Sequence, residues 1–388
     1  GHTEVQVMLI NRVHSQRLQR NVLRHLEQVH QLLILVFPPL LIWFAGFRGP
    51  ALLTGGDWQS LSPAWQLGFA LCGVGFVSQV ACAIRWQTHK DPSVLTRGPS
   101  RIVDFAEELG EPPRGTGLSG LLARLPGNQV FQVEWTETQF RLPNLPEVWH
   151  GLTILHLTDW HIHGTPNRAF FEAVTREVEK QTPDLIFFTG DLMDDLECLD
   201  WLPQTLGRLK APLGKYYILG NHDWLLDPPA IRRMMNDLGW RDVASHTHAI
   251  EYQGLPMVIG GTERPWMGQH PDFEATPESA FRVLLSHTPD NFGWAKDQGI
   301  DVMLSGHNHG GQIILPIIGP MYTPSFYGVR YSAGCWYEDG TLMYVSRGLS
   351  GEQPVRINCR PEITLHTFFS TKTNVENAGT TQQTVATV

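Results

Sequence analysis

The segment Gly306–Gln312 places two imidazoles, His307 and His309, one residue apart directly after the apolar run 301–304. Glycines on both sides allow the backbone to turn tightly and to approach a ligand without a Cβ in the way. A strand that ends in a His-x-His turn is typical of a metal site. Because the common metal geometries need at least three protein ligands, we expect the remaining ligands elsewhere in the chain.

Residue types that commonly bind metals follow four further predicted strands. These segments are Asp159-Trp160-His161, Gly190-Asp191-Leu192-Met193-Asp194, Gly220-Asn221-His222-Asp223 and Ser286-His287. Each alone is weak evidence, because a Gly-Asp after a strand is more often a turn and a lone histidine is more often structural. Five strand ends that carry Asp, His or Asn are hard to explain as turns, and together they predict one site.

The elements that would position these residues alternate between strand and helix early in the chain, and strands dominate later. Strands are predicted near 130–135, 140–142, 153–157, 184–188, 216–219, 256–259, 282–285, 302–304, 313–315, 342–345 and 363–368. Helices are predicted from Pro166 to Gln181, capped by Thr165, and near 199–209. This order predicts an α/β (α+β) fold of mixed sheets covered by helices, with the chemistry in loops at the carboxyl ends of strands.

The N-terminal quarter of the chain has a different character. Residues 1–30 have the pattern of a basic amphipathic helix. Two apolar runs, Leu32–Phe47 and Trp65–Ile84, predict a transmembrane hairpin within residues 31–88. Arg85 and Trp86 after the second run are typical of a membrane interface, and basic residues on both outer sides favour a cytoplasmic location for both ends. A buried helical hairpin in a soluble protein is the alternative.

The rest of the 388-residue chain divides by composition. Residues 89–128 are rich in Pro, Gly and Arg and are interpreted as a linker with one short helix near Ile102–Leu109. The catalytic domain is predicted over 129–369. The Thr-, Gln- and Asn-rich segment 370–388 is predicted to be a disordered tail.

Charge and cysteine usage argue against several functions. The formal net charge of −9 disfavours a nucleic-acid binder, which needs a basic face, but it is compatible with a phosphorylated substrate held by metal ions. The five cysteines are scattered and form no CxxC pair, so no disulfide framework or thiolate zinc site is indicated.

The five strand-end segments resemble, complete and in order, the signature of the calcineurin-like metallophosphoesterase superfamily: D-x-H, G-D-x-x-D, G-N-H-[DE], a single His and G-H-x-H. The resemblance covers about residues 130–368 and implies a β-sandwich of mixed sheets flanked by helices. Segments 310–312, 345–348 and 361–365 are similar to the YkuE-like branch of membrane-associated bacterial phosphoesterases, which includes hydrolases of UDP-2,3-diacylglucosamine. Asn308 and Trp160 depart from the usual residues and could change the shape of the substrate pocket.

The resemblance implies two divalent metal ions. One would be held by Asp159, His161, Asp191 and His309, and the other by Asp191, Asn221, His287 and His307. Oxygen and imidazole ligands without thiolate favour Mn, Fe or Zn. A shared carboxylate holds two such cations about 3.5–4 Å apart, where they acidify a bridging water to a hydroxide and stabilise the charge of in-line displacement.

Five further side chains have candidate roles. His222 is adjacent to a ligand but is not itself assigned to a metal, so it is the natural general acid for the leaving oxygen, with Asp194 orienting it. Arg264, Trp266 and Arg347 are candidates for contact with a phosphate or headgroup, and a structural salt bridge is the alternative for the arginines.

The sequence therefore predicts a dinuclear phosphoesterase that hydrolyses phosphodiester or pyrophosphate bonds by a metal-bridging hydroxide. Its expected substrate is a phosphorylated small molecule, a lipid or a nucleotide-lipid. The expected location is the bacterial inner membrane, with the catalytic domain in the cytoplasm and no nucleic-acid partner. A soluble-type nuclease or cyclic nucleotide phosphodiesterase and a catalytically idle binding scaffold are the alternatives.

Overall fold

The computed structural model describes residues 2–18, 20–45 and 57–372. Three helices precede the catalytic domain: α1 (His2–His14), α2 (Arg20–Ala45) and α3 (Pro63–Thr88). The end of the first predicted apolar run, most of the loop after it and residues 373–388 of the predicted tail lie outside the described residues.

Helix α3 is long and apolar enough to cross a membrane, with a mean hydropathy of 2.0 over its most apolar window. Only 6% of that window is buried, and large side chains such as Val74, Phe76 and Val77 are exposed. Within the described residues, α3 is therefore not a buried core helix. In α2 the apolar stretch found, Gln28–Phe37, is shorter than a membrane span.

The described residues form fifteen strands and six further α-helices. The strands are β1 (Leu95–Asp104), β2 (Gln132–Leu142), β3 (Leu152–Leu157), β4 (Leu185–Thr189), β5 (Lys215–Ile218), β6 (Arg241–Asp242), β7 (Thr247–Tyr252), β8 (Leu255–Thr262), β9 (Phe281–Ser286), β10 (Val302–Ser305), β11 (Ile314–Leu315), β12 (Gly319–Pro320), β13 (Gly334–Glu338), β14 (Thr341–Val345) and β15 (Glu362–Ser370). The helices are α4 (Phe105–Glu108), α5 (Gly117–Leu122), α6 (Arg168–Val178), α7 (Asn221–Trp224), α8 (Pro228–Asp237) and α9 (Phe292–Asp297). Short 3₁₀ helices include Leu196–Gln204, Leu206–Arg208, His309–Gly311 and Gly328–Tyr331.

Two mixed sheets form a sandwich. One has seven strands in the order β1-β2-β15-β3-β4-β5-β6, and the other has six in the order β13-β14-β10-β9-β8-β7. Their facing sides share one apolar core, which includes Ile154, Phe187, Ile218, Ile259, Val283 and Leu304. Helices cover the outer faces, so the strands at the centre are buried on both sides, as their continuous apolar runs require. The predicted fold class is confirmed.

Helix α6 shows how local sequence fixes an element. Phe170, Val174 and Val178 recur at four-residue spacing and pack on the outer face of the seven-stranded sheet. The helix begins two residues later than predicted. The side chain of Asn167 accepts the capping hydrogen bond, whereas Thr165 Oγ1 accepts from Gly115 N at 2.9 Å.

Residues 89–128 are more ordered than their composition predicted. Strand β1 pairs antiparallel with β2 as the edge of the seven-stranded sheet, and α4 and α5 follow it, so the linker interpretation is corrected here. Most side chains of β1 are exposed, so it has no apolar alternation by which it could be recognised.

Candidate active site

The predicted metal ligands meet where strands of both sheets end. β3, β4 and β5 are parallel neighbours in one sheet, and β9 and β10 are parallel neighbours in the other. The loops after all five strands therefore leave the sandwich at one edge. The structure brings together Asp159, His161, Asp191, Asp194, Asn221, His222, His287, His307 and His309.

Five of these residues adopt the left-handed backbone conformation. Their φ angles are 53° at Asp159, 43° at His161, 53° at Asp191, 69° at His307 and 49° at His309. This region is unfavourable for residues with a side chain, so the surrounding structure must enforce it, and such residues are enriched at functional sites. The loops turn sharply enough to direct side chains back over the ends of their strands.

Two glycines allow the loops to approach the carboxylates. A Cβ on Gly306 would collide with the Asp159 carboxylate, and one on Gly220 would collide with the Asp191 carboxylate. The glycines that flank the His-x-His and Asn-His segments are therefore required by close packing.

The first group of possible ligand atoms comes from Asp159, His161, Asp191 and His309, whose atoms lie within 4.8 Å of one another. His161 Nε2 lies 3.2 Å from His309 Nε2 and 3.4 Å from Asp191 Oδ2. Asp159 Oδ1 lies 3.6 Å from His309 Nε2. All four side chains are buried or nearly so.

The second group comes from Asp191, His287 and His307, with Asn221 beside them. His287 Nε2 lies 3.1 Å from Asp191 Oδ2, 3.2 Å from Asn221 Oδ1 and 3.1 Å from His307 Nδ1. The same oxygen, Asp191 Oδ2, therefore borders both groups.

The hydrogen bonds on the far side of three imidazoles determine their neutral tautomers. His161 Nδ1 faces Asp194 Oδ1 at 3.0 Å, His287 Nδ1 faces Thr189 O at 2.8 Å, and His307 Nε2 faces Pro324 O at 2.8 Å. Because these partners only accept, each facing nitrogen carries the proton, and the other nitrogen directs a lone pair into the site. Lone pairs directed at one another and at carboxylates require a cation between them, so the residues fit divalent metal ions.

The charge of the site supports the same conclusion. Asp159 and Asp191 are buried, and among the described residues neither forms an ion pair with a lysine or arginine. Burial lowers the pKa of His287, but the Asp191 carboxylate outweighs this and raises that pKa to about 9. Two buried carboxylates without a fixed cation attract positive charge, either protons or metal ions.

His222 stands at the front of the site beside the two groups. Its Nδ1 donates to Asp194 Oδ1 at 2.8 Å, and its backbone N donates to Asp191 Oδ1 at 2.9 Å. The side chain remains 24% exposed, in contrast to the buried His161 and His287. Its Nε2 is therefore free to meet a molecule that enters the cleft.

Asp223 holds the loops in place, a role that the sequence pattern did not reveal. Its carboxylate accepts from Leu192 N at 3.0 Å, Met193 N at 3.1 Å and Gly220 N at 2.9 Å, and it is fully buried. Burial, together with the Asp191 charge, raises the pKa of Asp223 to about 7. This one side chain links the loop after β4 to the loop after β5.

We expect Asp223→Ala to lower the free energy of unfolding by about 4 kcal/mol, because three buried N–H groups lose their acceptor. Asp227→Ala is the control, since it removes an exposed capping hydrogen bond to Ala230 N and costs about 1 kcal/mol. Denaturant unfolding followed by tryptophan fluorescence measures both. Equal losses in the two variants would show that Asp223 does not hold the loops.

The proposed substrate contacts differ in their surroundings. Trp266 lies beside the second group, with its ring centroid 4.9 Å from that of His307. Arg264 is exposed, and no ion pair involves it among the described residues. Arg347 instead forms ion pairs with Glu134 at 2.9 Å and with Glu362 at 3.2 Å. These are the structural salt bridges that the sequence analysis gave as the alternative to substrate contact.

The two residues that depart from the family pattern, Asn308 and Trp160, lie in different surroundings. Asn308 lines the cleft, with its Nδ2 donating to Tyr331 O at 2.7 Å. Trp160 is fully buried in the core, 5.5 Å from the ring of Phe171 and 6.0 Å from that of Phe188. The expectation that Trp160 could shape the pocket is therefore wrong, because its side chain points into the sheet–helix interface.

A cleft opens in front of the two groups of ligands. It is lined by Leu23, His161, Asp191, Asn221, His222, Trp224, Leu225, Trp266, His307, Asn308, His309, Gly311, Gln312, Tyr322, Pro324, Glu352 and Gln353. The floor is polar, whereas much of the rim is aromatic or aliphatic. One rim residue, Leu23, belongs to α2, so the N-terminal region contributes directly to the cleft.

Comparison with known proteins identifies the family. Residues 152–311 match the calcineurin-like phosphoesterase family. The chain is 32% identical over 253 residues to the uncharacterized metallophosphoesterase YkuE of Bacillus subtilis, a match that covers 63% of this chain and 88% of YkuE. The chain belongs to the calcineurin-like phosphoesterase family and is a metal-dependent hydrolase of phosphoric esters.

Two relatives have more specific descriptions. The chain is 28% identical over 291 residues to the UDP-2,3-diacylglucosamine pyrophosphatase LpxG of Chlamydia muridarum, covering 59% of this chain and 87% of LpxG. It is 29% identical over 218 residues to the phosphodiesterase YaeI of Escherichia coli, covering 55% of this chain and 80% of YaeI.

Proposed function

We propose that this protein is a dinuclear phosphoesterase that cleaves a phosphodiester or pyrophosphate bond in a lipid or nucleotide-lipid at a membrane. The observation that carries the dinuclear assignment is the position of Asp191 Oδ2, 3.4 Å from His161 Nε2 and 3.1 Å from His287 Nε2. A single carboxylate oxygen between two sets of imidazoles is suited to bridge two cations.

Each metal would have its own set of ligands. Asp159, His161, Asp191 and His309 would hold the first ion, and Asp191, Asn221, His287 and His307 would hold the second. Their oxygen and nitrogen atoms suit Mn, Fe or Zn. When bound, such a pair of ions supplies a nucleophile from water at neutral pH and neutralises the phosphoryl oxygens.

His222 would donate a proton to the leaving oxygen. Asp194 accepts from its Nδ1, which fixes the orientation of the ring and favours the protonated imidazole, while Nε2 faces the cleft. Asp194 also accepts from His161 Nδ1 at 3.0 Å, so one carboxylate would align both the acid and a metal ligand.

The rim of the cleft supports an amphiphilic substrate. Trp266 would contact the headgroup, and Leu23, Trp224 and Tyr322 offer an apolar path away from the polar floor. Arg264, two residues before Trp266 in the chain, does not line the cleft and could contact only a part of the substrate that extends beyond it. A substrate with a charged phosphate and acyl chains matches both surfaces. The relative LpxG, described as a UDP-2,3-diacylglucosamine pyrophosphatase, points to the same substrate class.

The N-terminal helices would anchor the enzyme in the bacterial inner membrane. In this proposal the predicted hairpin of residues 31–88 crosses the bilayer and returns, with α3 as the returning span, so that Leu23 and the catalytic domain both lie on the cytoplasmic side. Arg85 at the end of α3, together with Lys90 and Arg97 beyond it, supports this orientation through the preference of basic residues for the cytoplasmic side.

The proposal can be tested with the full chain in lipid nanodiscs, supplied with Mn²⁺. We expect kcat/KM for UDP-2,3-diacylglucosamine to exceed that for the acyl-free sugar nucleotide by about 100-fold, because its acyl chains hold it in the same bilayer as the enzyme, where each buried CH₂ contributes about 0.8 kcal/mol. Bis(nitrophenyl) phosphate serves as the soluble reference substrate. Equal rates with and without acyl chains, or faster cleavage of single-stranded DNA, would contradict a lipid substrate.

A further inference from the structure

A small β-hairpin beside the cleft exposes an unusual number of apolar side chains. β11 and β12 pair antiparallel, and the segment 313–320, here called the apolar hairpin, presents Ile313, Leu315, Ile317 and Ile318 to solvent. Ile317 at its tip is 76% exposed and has a φ of 69°, a conformation unfavourable for a β-branched residue. Phe326 nearby in sequence is half exposed. Exposed apolar clusters of this kind mark interaction surfaces.

The apolar hairpin is in direct contact with the end of α3. Gln87 Nε2 donates to Ile317 O at 2.6 Å, and the ring of Trp86 packs on Gly319, where a Cβ would lie within 3 Å of the indole. If α3 spans a bilayer, Trp86 lies at the interface, where tryptophan is enriched. The apolar hairpin is then at the same level as the headgroups and the first acyl carbons.

The surroundings of the apolar hairpin are basic and aromatic. Arg85 and Arg330 line a pocket between α3 and the catalytic domain, together with Trp336. The guanidinium of Arg12 lies over the ring of Phe326, 5.7 Å from its centroid. A basic and aromatic border around an apolar tip is complementary to anionic lipid headgroups over acyl chains.

The cleft opens next to this surface. Gln312 and Tyr322, which flank the apolar hairpin in sequence, both line the cleft, and Leu23 of α2 lies on its rim. Arg17, shortly before α2, lies over the ring of Trp224, another residue of the rim. Both apolar helices therefore reach the catalytic domain beside the cleft.

We propose that the apolar hairpin and Phe326 insert into the surface of an anionic lipid bilayer, so that the cleft opens at the membrane. An amphiphilic substrate then reaches the metal ligands while its acyl chains remain in the lipid. This inference rests on the proposed function for its substrate, and on the membrane helix α3 for its orientation.

Fluorescence quenching tests the insertion directly. Ile317→Cys, in a Cys72→Ser, Cys82→Ser background, is labelled with an environment-sensitive fluorophore in nanodiscs that contain brominated phosphatidylglycerol. Cys198, Cys335 and Cys359 are buried and should not react. We expect at least twofold quenching at position 317.

Tyr252→Cys is the matched control for the labelling. Tyr252 is also an exposed apolar side chain, but it lies on β7 at one edge of the six-stranded sheet. The opposite edge is β13, whose Trp336 faces α3, so Tyr252 is on the side of the sheet away from α3. We expect no quenching there. Equal quenching at both positions, or none at position 317, would overturn the proposed insertion.

Activity measurements separate this inference from the proposed function. In Ile317→Asp and Phe326→Asp, turnover of a lipid substrate in anionic nanodiscs should fall about tenfold relative to turnover of soluble bis(nitrophenyl) phosphate. Tyr252→Asp should leave this ratio unchanged. If the unaltered protein hydrolyses the lipid but the ratio does not change in the hairpin variants, the inference fails alone. If the unaltered protein hydrolyses no lipid substrate, the proposed function fails, and the quenching result still decides whether the hairpin inserts.

Discussion

Asp191→Asn is expected to remove both metal ions and to lower kcat/KM by about 10⁴-fold. The reason is the position of one atom, Oδ2, which borders both groups of imidazoles, at 3.4 Å from His161 Nε2 and 3.1 Å from His287 Nε2. An amide has no negative charge to share between two cations. Loss of the metal pair removes several kcal/mol of transition-state stabilisation, and each 1.36 kcal/mol corresponds to a tenfold change in rate. Metal content by mass spectrometry and turnover of bis(nitrophenyl) phosphate are the measurements.

The control for this variant is Asp200→Asn, which removes a carboxylate of the same type from an exposed position of the catalytic domain. It should retain both ions and full activity. In Asp191→Asn the introduced amide keeps an oxygen that accepts from His222 N, so this contact between the loops is retained. Retention of two ions per chain with activity within tenfold of the parent would rule out a bridging role for Asp191.

His222→Ala is expected to show a dependence on the leaving group. For a substrate with an alkyl leaving group, kcat should fall by about 10³-fold, within the range typical of a lost general acid. For a nitrophenyl ester the loss should be about tenfold, because nitrophenolate leaves without protonation. Metal content should not change, since the ligand atoms of the two groups come from other residues.

Two further variants sharpen this test. Asp194→Asn removes the negative charge that faces His222 Nδ1 and favours its protonated form, and it should produce the same leaving-group dependence in weaker form, because the imidazole remains. His246→Ala is the control, since His246 is a histidine outside the cleft whose Nδ1 bonds Ala244 O. Equal losses on both leaving groups in His222→Ala would assign His222 to positioning or to substrate binding instead of proton transfer.

The location of the site could be predicted from sequence because its signal is local. Apolar runs mark β3, β4, β5, β9 and β10, and each run is followed within a few residues by Asp, Asn or His. Parallel strands collect their carboxyl ends at one edge, so the convergence of these loops follows from the fold class alone. The position of α3 was equally accessible, because length and hydropathy mark a helix that is apolar enough to cross a membrane without any knowledge of tertiary contacts.

Other features have no local signal. Strand β1 is recognisable only by its pairing with β2, since most of its side chains are exposed. The role of Asp223 depends on N–H groups from two loops that meet only after folding. Arg347 gave no indication in the sequence that Glu134, more than 200 residues earlier, would pair with it.

The sequence by itself determined which residue types stand at the five strand ends and that an apolar helix precedes them, because periodicity, hydropathy and spacing act between near neighbours. Only the tertiary structure decided that one oxygen of Asp191 borders both groups, that His161 lies against His309 across 148 positions of chain, and that the apolar hairpin lies against the end of α3. These contacts join segments far apart in the chain, and the packing of two sheets and three N-terminal helices sets their distances.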